Sequence, residues 1–399
     1  MSEATTVMFC HPGTELYGSD RMAVASVAAL VAGGYRVIVV VPNTGPLIEL
    51  FEQAGAEVFV VTLPVLRKSL LKPAAFARLG LSMPGILRKA RRLIRSARAD
   101  LVYVNTVTQP WWIEAARQVR RPTVVHVREA ETGVPGIVQR GLAFPLAFAT
   151  QIVANSASTR DHVVDKGIGL AAKTRIIYNG KDWSAYHRSA FAGISSQPNI
   201  LLVGRISPRK GTDTAVKALG TLVERGVDAR LVIAGDVFPG YEWFADEVRQ
   251  LATSLGVADR CEFTGFVSDT ADLLENADVV IAPSRVEPFG TVAAEGMAAE
   301  RPTIVSDVQG LVEIVDSEAV GSVFPAESAE ALADAIAALV SDPLRAQRMA
   351  AAGRRSVIER FSVQQYEEAT LAVVADALGR RASTRPVDAP AALQQKAAA

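Results

Sequence analysis

The chain has few of the residues that would give a small protein its function outright: of 399 residues, two are cysteine, four are histidine and 6% are aromatic. Cys10 and Cys261 lie far apart, each in an apolar run. That excludes a disulfide framework or a cysteine-based zinc cluster and leaves two buried free thiols as the expectation. Neither sign of charge is in excess, with Lys plus Arg and Asp plus Glu at 42 each. A uniformly basic coat for nucleic acid is therefore excluded, as is an acidic tail protein, and any charge function has to be local. Long apolar runs are missing too. The best candidate, from Gly141 to Ala154, is broken by Pro145 and polar residues, well short of the roughly 18–20 uninterrupted apolar residues that span a bilayer. The opening MSEATTVMFCHPG lacks the charged start and long apolar core of a secretory signal, so the expected location is the cytoplasm, with any membrane contact peripheral.

What is abundant is apolar material, 49% of the chain against 21% charged. This is enough for sizeable cores over two or three domains. Short runs rich in Val and Ile recur at Val37–Val41, Val58–Val61, Leu101–Val104, Thr123–Val127, Ile152–Ala154 and Ile176–Tyr178. The pattern restarts at Ile200–Val203, Leu231–Ala234, Cys261–Phe263, Val279–Ala282 and Thr303–Val305. Runs apolar on both faces and separated by helix-length segments fit parallel strands covered on both sides. The fold class is therefore α/β, with two similar parallel sheets in series. Residues 1–188 are expected to form the first domain and 189–361 the second. A C-terminal helix over about 362–380 is expected to pack back on the first domain, and the Ala-, Pro- and Gln-rich residues 381–399 to form a disordered tail. Ligands of open parallel sheets settle at the carboxyl ends of strands, so a cleft between facing domains is the expected site.

The segment from Val286 to Val315 carries the most chemistry. Pro288 and Gly290 break the chain after a strand, and a helix is expected from Phe289 to Ala299. The backbone N–H groups of Phe289, Gly290 and Thr291, with the positive end of the helix dipole, form a seat for a phosphate or a sugar hydroxyl. Glu287 precedes this turn and Glu295 lies two turns into the helix, so two carboxylates can grip different parts of one polyhydroxylated ligand. On the first loop of the second half, Arg205 and Lys210 stand five apart, with Pro208 and Gly211 bending the chain. Taken alone they read as surface charges; together they can face one diphosphate.

The Glu287–Glu295 spacing with Pro288-Phe289-Gly290 resembles the retaining glycosyltransferases of family 4. Other stretches repeat the resemblance in order: NSASTRDHVVDKG, RIIYNGKD, VGRISPRKGTDTAVKAL, LVIAGD and FTGFVSDTADLLENADVVIAPS. It covers about Val7 to Leu378, strongly in the second half and loosely in the first. The family implies the GT-B fold, two facing Rossmann-like domains with parallel sheets and an interdomain cleft. It implies that Arg205 and Lys210 bind the diphosphate of a nucleotide-sugar and stabilise the charge left on it. Glu295 would accept hydrogen bonds from ribose hydroxyls, Glu287 would meet the transferred sugar, and Phe266 and Val267 would hold the nucleobase. Gly13 matches the loop near the donor phosphate, although the adjacent glycines common in relatives are replaced here by Gly13 and then Tyr17-Gly18-Ser19-Asp20-Arg21. On the residue pattern alone His126 is more often a core histidine; the resemblance assigns it a sugar contact, with Arg128 and Glu129 as neighbours. Asn155 and Ser156 read as helix caps or as groups lining the site. Ser19 or Asp20 is expected to cap the first helix.

No Asp-x-Asp pair occurs, and His11, His126, His162 and His187 have no metal-ligand spacing. Gly-x-Gly-x-x-Gly and P-loop motifs are also missing. The expected reaction needs no metal and no cofactor. It moves a sugar from a UDP- or GDP-linked donor to a hydroxyl of a glycan or lipid-linked glycan. An epimerase or phosphorylase of the same fold is the near alternative, and a noncatalytic sugar-binding protein the distant one. Replacing Glu287, Arg205 or Lys210 is expected to spare the fold, since each acts on a ligand.

Between Glu57 and Asp100 there is no acidic residue, while residues 67–98 supply Arg67, Lys68, Lys72, Arg78, Arg88, Lys89, Arg91, Arg92, Arg95 and Arg98. A helix is expected from Pro84 to Arg98, with Ile86, Ala90, Leu93, Ile94 and Ala97 as its apolar stripe. The basic face suits an anionic membrane on the inner side, where a lipid-linked acceptor would be presented, or it is an ordinary solvated charge run. Trp111-Trp112 could stack on an acceptor sugar, with packing against the sheet the more ordinary reading.

Overall fold

The structure is a computed structural model that describes residues 4–16, 18–66, 73–128, 140–141, 143–187, 189–238 and 240–379, with the side chains of 73–77 left aside. Glu129, Arg67, Lys68, Lys72 and the tail 381–399 thus lie outside the described residues. The chain divides into two compact units, one made of the described residues of 1–126, 141–152 and 367–399, the other of those of 127–140 and 153–366. This division places 153–187 with the second unit, where the sequence put its boundary at 188.

One sheet contains β1 (Thr6–Cys10), β2 (Arg36–Val41), β3 (Glu57–Val60), β4 (Leu101–Val104), β5 (Thr123–Val127), β6 (Gln151–Ala154) and β7 (Thr174–Ile176), in the order β3-β2-β1-β4-β5-β6-β7. Every residue of β1, β4 and β5 is shut from solvent, whereas the edge strand β3 leaves Phe59 and Val60 exposed. The other sheet contains β8 (Asn199–Val203), β9 (Arg230–Ala234), β10 (Cys261–Gly265), β11 (Val279–Ala282), β12 (Thr303–Ser306) and β13 (Ser322–Phe324), in the order β10-β9-β8-β11-β12-β13. Its pairings are parallel, which is why Val, Ile and Leu fill both faces. The three-residue edge strand β13 is too short and mixed, Ser-Val-Phe, to announce itself by periodicity.

In the first unit the basic helix runs Pro73–Ser96, with Pro84 inside it and not at its start. Proline lacks the N–H that the carbonyl of Gly80 would accept, but both positions are exposed, so water can satisfy that carbonyl. Ile86, Ala90 and Ile94 are buried as its apolar stripe. Trp111 and Trp112 begin the helix Trp111–Gln118 and are 2% and 1% exposed, as packing residues. The C-terminal helix is Val363–Ala377; its Leu371 side chain occupies the space where a Cβ on Gly33 would fall, which fixes glycine at that crossing.

The core of the second unit joins Ile200, Leu202, Leu231, Ile233, Val279 and Ile281 of the sheet to helices Thr212–Glu224, Glu242–Ser254 and Ala329–Ser341. Both cysteines are free; Cys10 is buried, but Cys261 is half-buried, its side of the sheet being covered less completely. Burial pushes the Cys261 thiol up to about 11, helped by the charge of Asp259.

Gly211 links a single helical turn, Pro208–Lys210, to the helix Thr212–Glu224, with φ +67°, and a Cβ there would overlap the carbonyl oxygen of Pro283. Left-handed backbone and lack of space act together. Gly211→Ala is expected to lower stability by about 2–4 kcal/mol, measured as a fall in the urea midpoint; an unchanged midpoint would contradict this packing.

Candidate functional site

In the order β10-β9-β8-β11-β12-β13, the chain leaves β8 towards β9 and leaves β11 towards β12. The connections after β8 and β11 therefore start side by side and run on to opposite sides of the sheet, and such a switch point is where a crevice forms at the strand ends. Lys210 follows β8 and Glu287 follows β11. Lys210 Nζ meets Glu287 Oε2 at 2.5 Å, with the two side chains 16% and 15% exposed. Burial by itself would raise the Glu287 carboxyl; the positive charges of Lys210 and Arg209 and the hydrogen bonds from Lys210 and Ser284 overcome it and hold the group below its ordinary value of 4.5. Arg209 was not singled out by sequence reasoning, because it sits between Arg205 and Lys210 in a run where only spacing marks the other two.

The backbone around this pair is tightly held. Glu287 N–H donates to Gln309 Oε1 at 2.8 Å, and Gly310 N–H donates to the Glu287 carbonyl at 3.1 Å. A Cβ on Gly310 would come within 2.5 Å of Phe289 Cα, so the loop after β12 lies directly against the one after β11. Ser306, at the end of β12, donates to the Ser284 carbonyl at 2.5 Å. Lys210's aliphatic stem runs beside Gly204, φ +153°, where a Cβ would sit 3.2 Å from Lys210 Cε.

The helix expected from Phe289 begins later, at Thr291, and ends at Ala298. Gly290 precedes it with φ +106°, a conformation that ends the possibility of helix at that position and before it. Phe289 is buried, its ring 5.6 Å from that of Phe361, so its side chain belongs to the core. Glu295 lies on this helix and is only 8% exposed. It is not an open carboxylate: Lys181 Nζ donates to its Oε1 at 2.5 Å and Tyr186 Oη donates to the same oxygen at 3.0 Å. Lys181 also donates to Tyr186 Oη at 2.8 Å. Burial would lower the Lys181 ammonium, yet the Glu295 charge and the phenol raise it above its usual value, while burial and Glu295 raise the Tyr186 hydroxyl. The stretch RIIYNGKD was part of the family resemblance, but nothing local in it marks Lys181 as the partner of a residue 114 positions away.

Arg205 is half-buried, with its guanidinium carbon 4.8 Å from the centroid of the Phe238 ring. After β10, Phe266 is 50% exposed and Val267 half-buried. Arg128 is buried, donating to Asn179 Oδ1 and Tyr366 Oη at 3.0 Å each. Ser156 is a helix cap, accepting from the Thr159 N–H at 3.0 Å, whereas Asn155 Oδ1 is buried with no hydrogen-bond partner among the described residues. Glu313, unmarked in the sequence, accepts from the N–H groups of Ala157 and Ser158 at 2.7 and 2.9 Å, at the positive end of the helix Ala157–Val164.

In the first unit, Gly13 lies on the loop after β1, and a Cβ there would touch nothing within 4 Å. Asp20 does not serve as a helix cap. Its Oδ1 is 3.0 Å from His11 Nε2, and Asn105 Nδ2 lies 3.0 Å from His11 Nδ1. β1 and β4 are neighbours at this sheet's own switch point, which brings their following residues together. His126, near the carboxyl end of β5, is 0% exposed, with Nδ1 2.9 Å from Tyr103 Oη. Among the described residues no group of three or more His, Cys, Asp or Glu side chains is gathered to hold a metal ion, and no helix is long and apolar enough to cross a membrane.

With this geometry in place, comparison with known proteins is decisive. The model of "Glycosyl transferases group 1" matches residues 188–356, and that of "Glycosyltransferase Family 4" matches residues 17–184. A glycogen synthase of Mycobacterium tuberculosis is 30% identical over 70% of this chain and 69% of its own. The chain belongs to the group 1, family 4 glycosyltransferases. A second relative from Mycobacterium tuberculosis, a GDP-mannose-dependent alpha-(1-6)-phosphatidylinositol dimannoside mannosyltransferase, is 38% identical over 44% of each chain. Among solved structures, Anabaena Alr3699/HepE in complex with UDP and glucose has a TM-score of 0.77 at 23% identity, covering 94% of this glycosyltransferase and 99% of that chain. The likeness is one of fold, the GT-B class expected from the sequence.

The Lys210–Glu287 contact leads to a different expectation for the cost of removing either member. Lys210→Met leaves a mostly buried carboxylate without its cation, with an expected loss of about 2–4 kcal/mol at pH 7. The native carboxyl is held below 4.5, so its contribution is present above that pH and is lost as pH falls through the depressed value. In the variant, burial drives Glu287 to take up a proton. Its penalty should therefore shrink between pH 7 and pH 4 in urea titrations, and a pH-independent penalty would count against the pairing.

Proposed function

We propose that this glycosyltransferase moves a sugar from a UDP- or GDP-linked donor to a hydroxyl of a glycan or lipid-linked glycan, with retention of configuration and without a metal ion. The observation that carries the reading is the Lys210–Glu287 pair at the switch point, with Arg209 close enough to act on the same carboxylate. Support comes also from the named relatives, one of them GDP-mannose-dependent, and from the neighbour holding UDP and glucose.

In this reading Lys210 exchanges the Glu287 carboxylate for the donor's diphosphate, and Arg205 adds a second cation. Glu287, released, accepts hydrogen bonds from hydroxyls of the transferred sugar. Glu295 keeps Oε1 on Lys181 and Tyr186 and offers Oε2 to the ribose. As the bond between the sugar's anomeric carbon and the phosphate oxygen breaks, negative charge grows on the diphosphate. Fixed cations and the N-terminal N–H groups of the helix Thr291–Ala298 stabilise it without reorganising. The acceptor oxygen attacks from the leaving-group face, and the departing phosphate oxygen takes its proton.

The exposed Arg88, Lys89, Arg92 and Arg95 of the helix Pro73–Ser96, with Arg98 just past its end and Leu81 86% exposed on it, support peripheral attachment to an anionic membrane. Salt-sensitive sedimentation with vesicles containing anionic lipid, and none with neutral vesicles, is the expected result; equal binding to both would remove this part.

UDP or GDP, and not ADP, is expected to raise the melting temperature with the logarithm of its concentration. Transfer from the matching sugar conjugate should persist in EDTA, and Arg205→Ala should cut turnover by about 10²-fold. Loss of activity on chelation, or wild-type turnover in a folded Arg205→Ala variant, would sink the proposal.

A further inference from the structure

If Lys210 is the cation that meets the diphosphate, its position has to be fixed, and its own segment offers only two short backbone bonds, Lys210 N–H to the Ser207 carbonyl and Gly211 N–H to the Pro208 carbonyl. Lys210 ends a single three-residue turn, Pro208–Lys210, between a strand and a helix. The neighbouring loop supplies the restraint through Arg285. The Arg285 N–H donates to the Arg209 carbonyl at 2.8 Å, and Nη1 donates to the Pro208 carbonyl at 2.5 Å. Its guanidinium fork then grips Asp213, just past Lys210, with Nη1 to Oδ1 at 2.9 Å and Nη2 to Oδ2 at 2.8 Å. The last of these contacts is Nε to Glu327 Oε2 at 2.9 Å. Arg285 thus holds the residues on both sides of Lys210 and stands two positions before Glu287. One short segment carries the carboxylate and also ties down the turn that bears its cation.

We propose that Arg285 and Asp213 form a positioning pair that sets Lys210 for the donor's diphosphate; this rests on the function proposed above. Arg285 is not itself a phosphate ligand. A guanidinium has five N–H donors, and four of them are already directed at Asp213, Pro208 and Glu327. The planar fork matched to a carboxylate is a geometry that lysine cannot reproduce. A displaced cation of about 1 Å is enough to cost a large factor in binding or rate. Asp213 also opens the helix Thr212–Glu224, where a negative charge is favourable in its own right. A purely structural role would therefore affect stability alone, and a positioning role would affect the diphosphate selectively.

The experiment measures affinities of UDP, GDP, UMP and GMP for the full chain carrying Arg285→Lys, Asp213→Asn, Lys210→Ala, and each of the first two combined with the third. Circular dichroism and melting temperature establish folding. Arg285→Lys and Asp213→Asn are expected to weaken whichever diphosphate the wild type binds by about 10-fold, and to leave the matching monophosphate within about 2-fold. In the Lys210→Ala background neither should weaken it further, because the cation they position is gone. Should the losses multiply with that of Lys210→Ala, should mono- and diphosphate fall together, or should both single variants bind the diphosphate like wild type, the positioning role is overturned. Should Lys210→Ala alone leave diphosphate affinity unchanged, the assignment of Lys210 fails first and takes the positioning role with it. Arg285→Lys and Asp213→Asn keep the size and most of the polarity of each group, so at least one folded variant is available for the comparison.

Discussion

The second unit depends on keeping a carboxylate and an ammonium together at the end of a parallel sheet. Glu287 and Lys210 are both largely withdrawn from water. Neither could stay charged there alone, because desolvating an unpaired ion costs several kcal/mol. Their meeting requires that the loops after β8 and β11 reach the same place, and the strand order supplies that place. The rest follows as reinforcement: Gly211 lets one loop close against Pro283, Gly310 lets a third loop close against Phe289, and Ser306 binds the end of β12 to the Ser284 carbonyl.

A second charged cluster is built on the same logic. Lys181, Tyr186 and Glu295 satisfy one another, with Lys181 itself tied by its backbone to Phe361. Trp183 donates its indole N–H to the same Phe361 carbonyl at 2.7 Å. Glu295 is therefore anchored from a segment more than a hundred residues earlier. Tyr178 and Glu313 make a third such link, and burial with the neighbouring carboxylate pushes the Tyr178 hydroxyl up to about 12. Polar side chains at these strand ends are held in advance by other polar side chains, which is the condition for electrostatic preorganisation.

Where apolar pattern decides the structure, the amino-acid sequence was readable. Leu101–Val104, Thr123–Val127 and Val279–Ala282 are strands with the limits expected of them, because a doubly covered parallel strand has to be apolar throughout. Glu287 and Lys210 could be named from spacing and family resemblance. Their contact could not, since it depends on how two loops 77 residues apart fold. The same holds for Arg285, whose partners Asp213 and Glu327 have no local signature. His126 shows the same limit from another side. A strand-end histidine carries no mark of its neighbours, so its contact with Tyr103 on the adjacent strand was not legible. Pro84 was given its usual helix-starting weight, which exposure at Gly80 and Pro84 made unnecessary.

The paired state also bears on how an anionic ligand could enter such a site under the proposed function. An ammonium already bound to a carboxylate need not be stripped of water a second time when a phosphate oxygen takes the carboxylate's place. What has to be replaced is the partner of Glu287, and sugar hydroxyls are donors suited to that. A diphosphate alone would therefore leave Glu287 poorly satisfied, whereas a diphosphate carrying a sugar would satisfy both ends of the broken pair. On this argument the ion pair does more than hold two loops together: it makes the loss of either half of the donor felt by the other, so that sugar and diphosphate are recognised as one object.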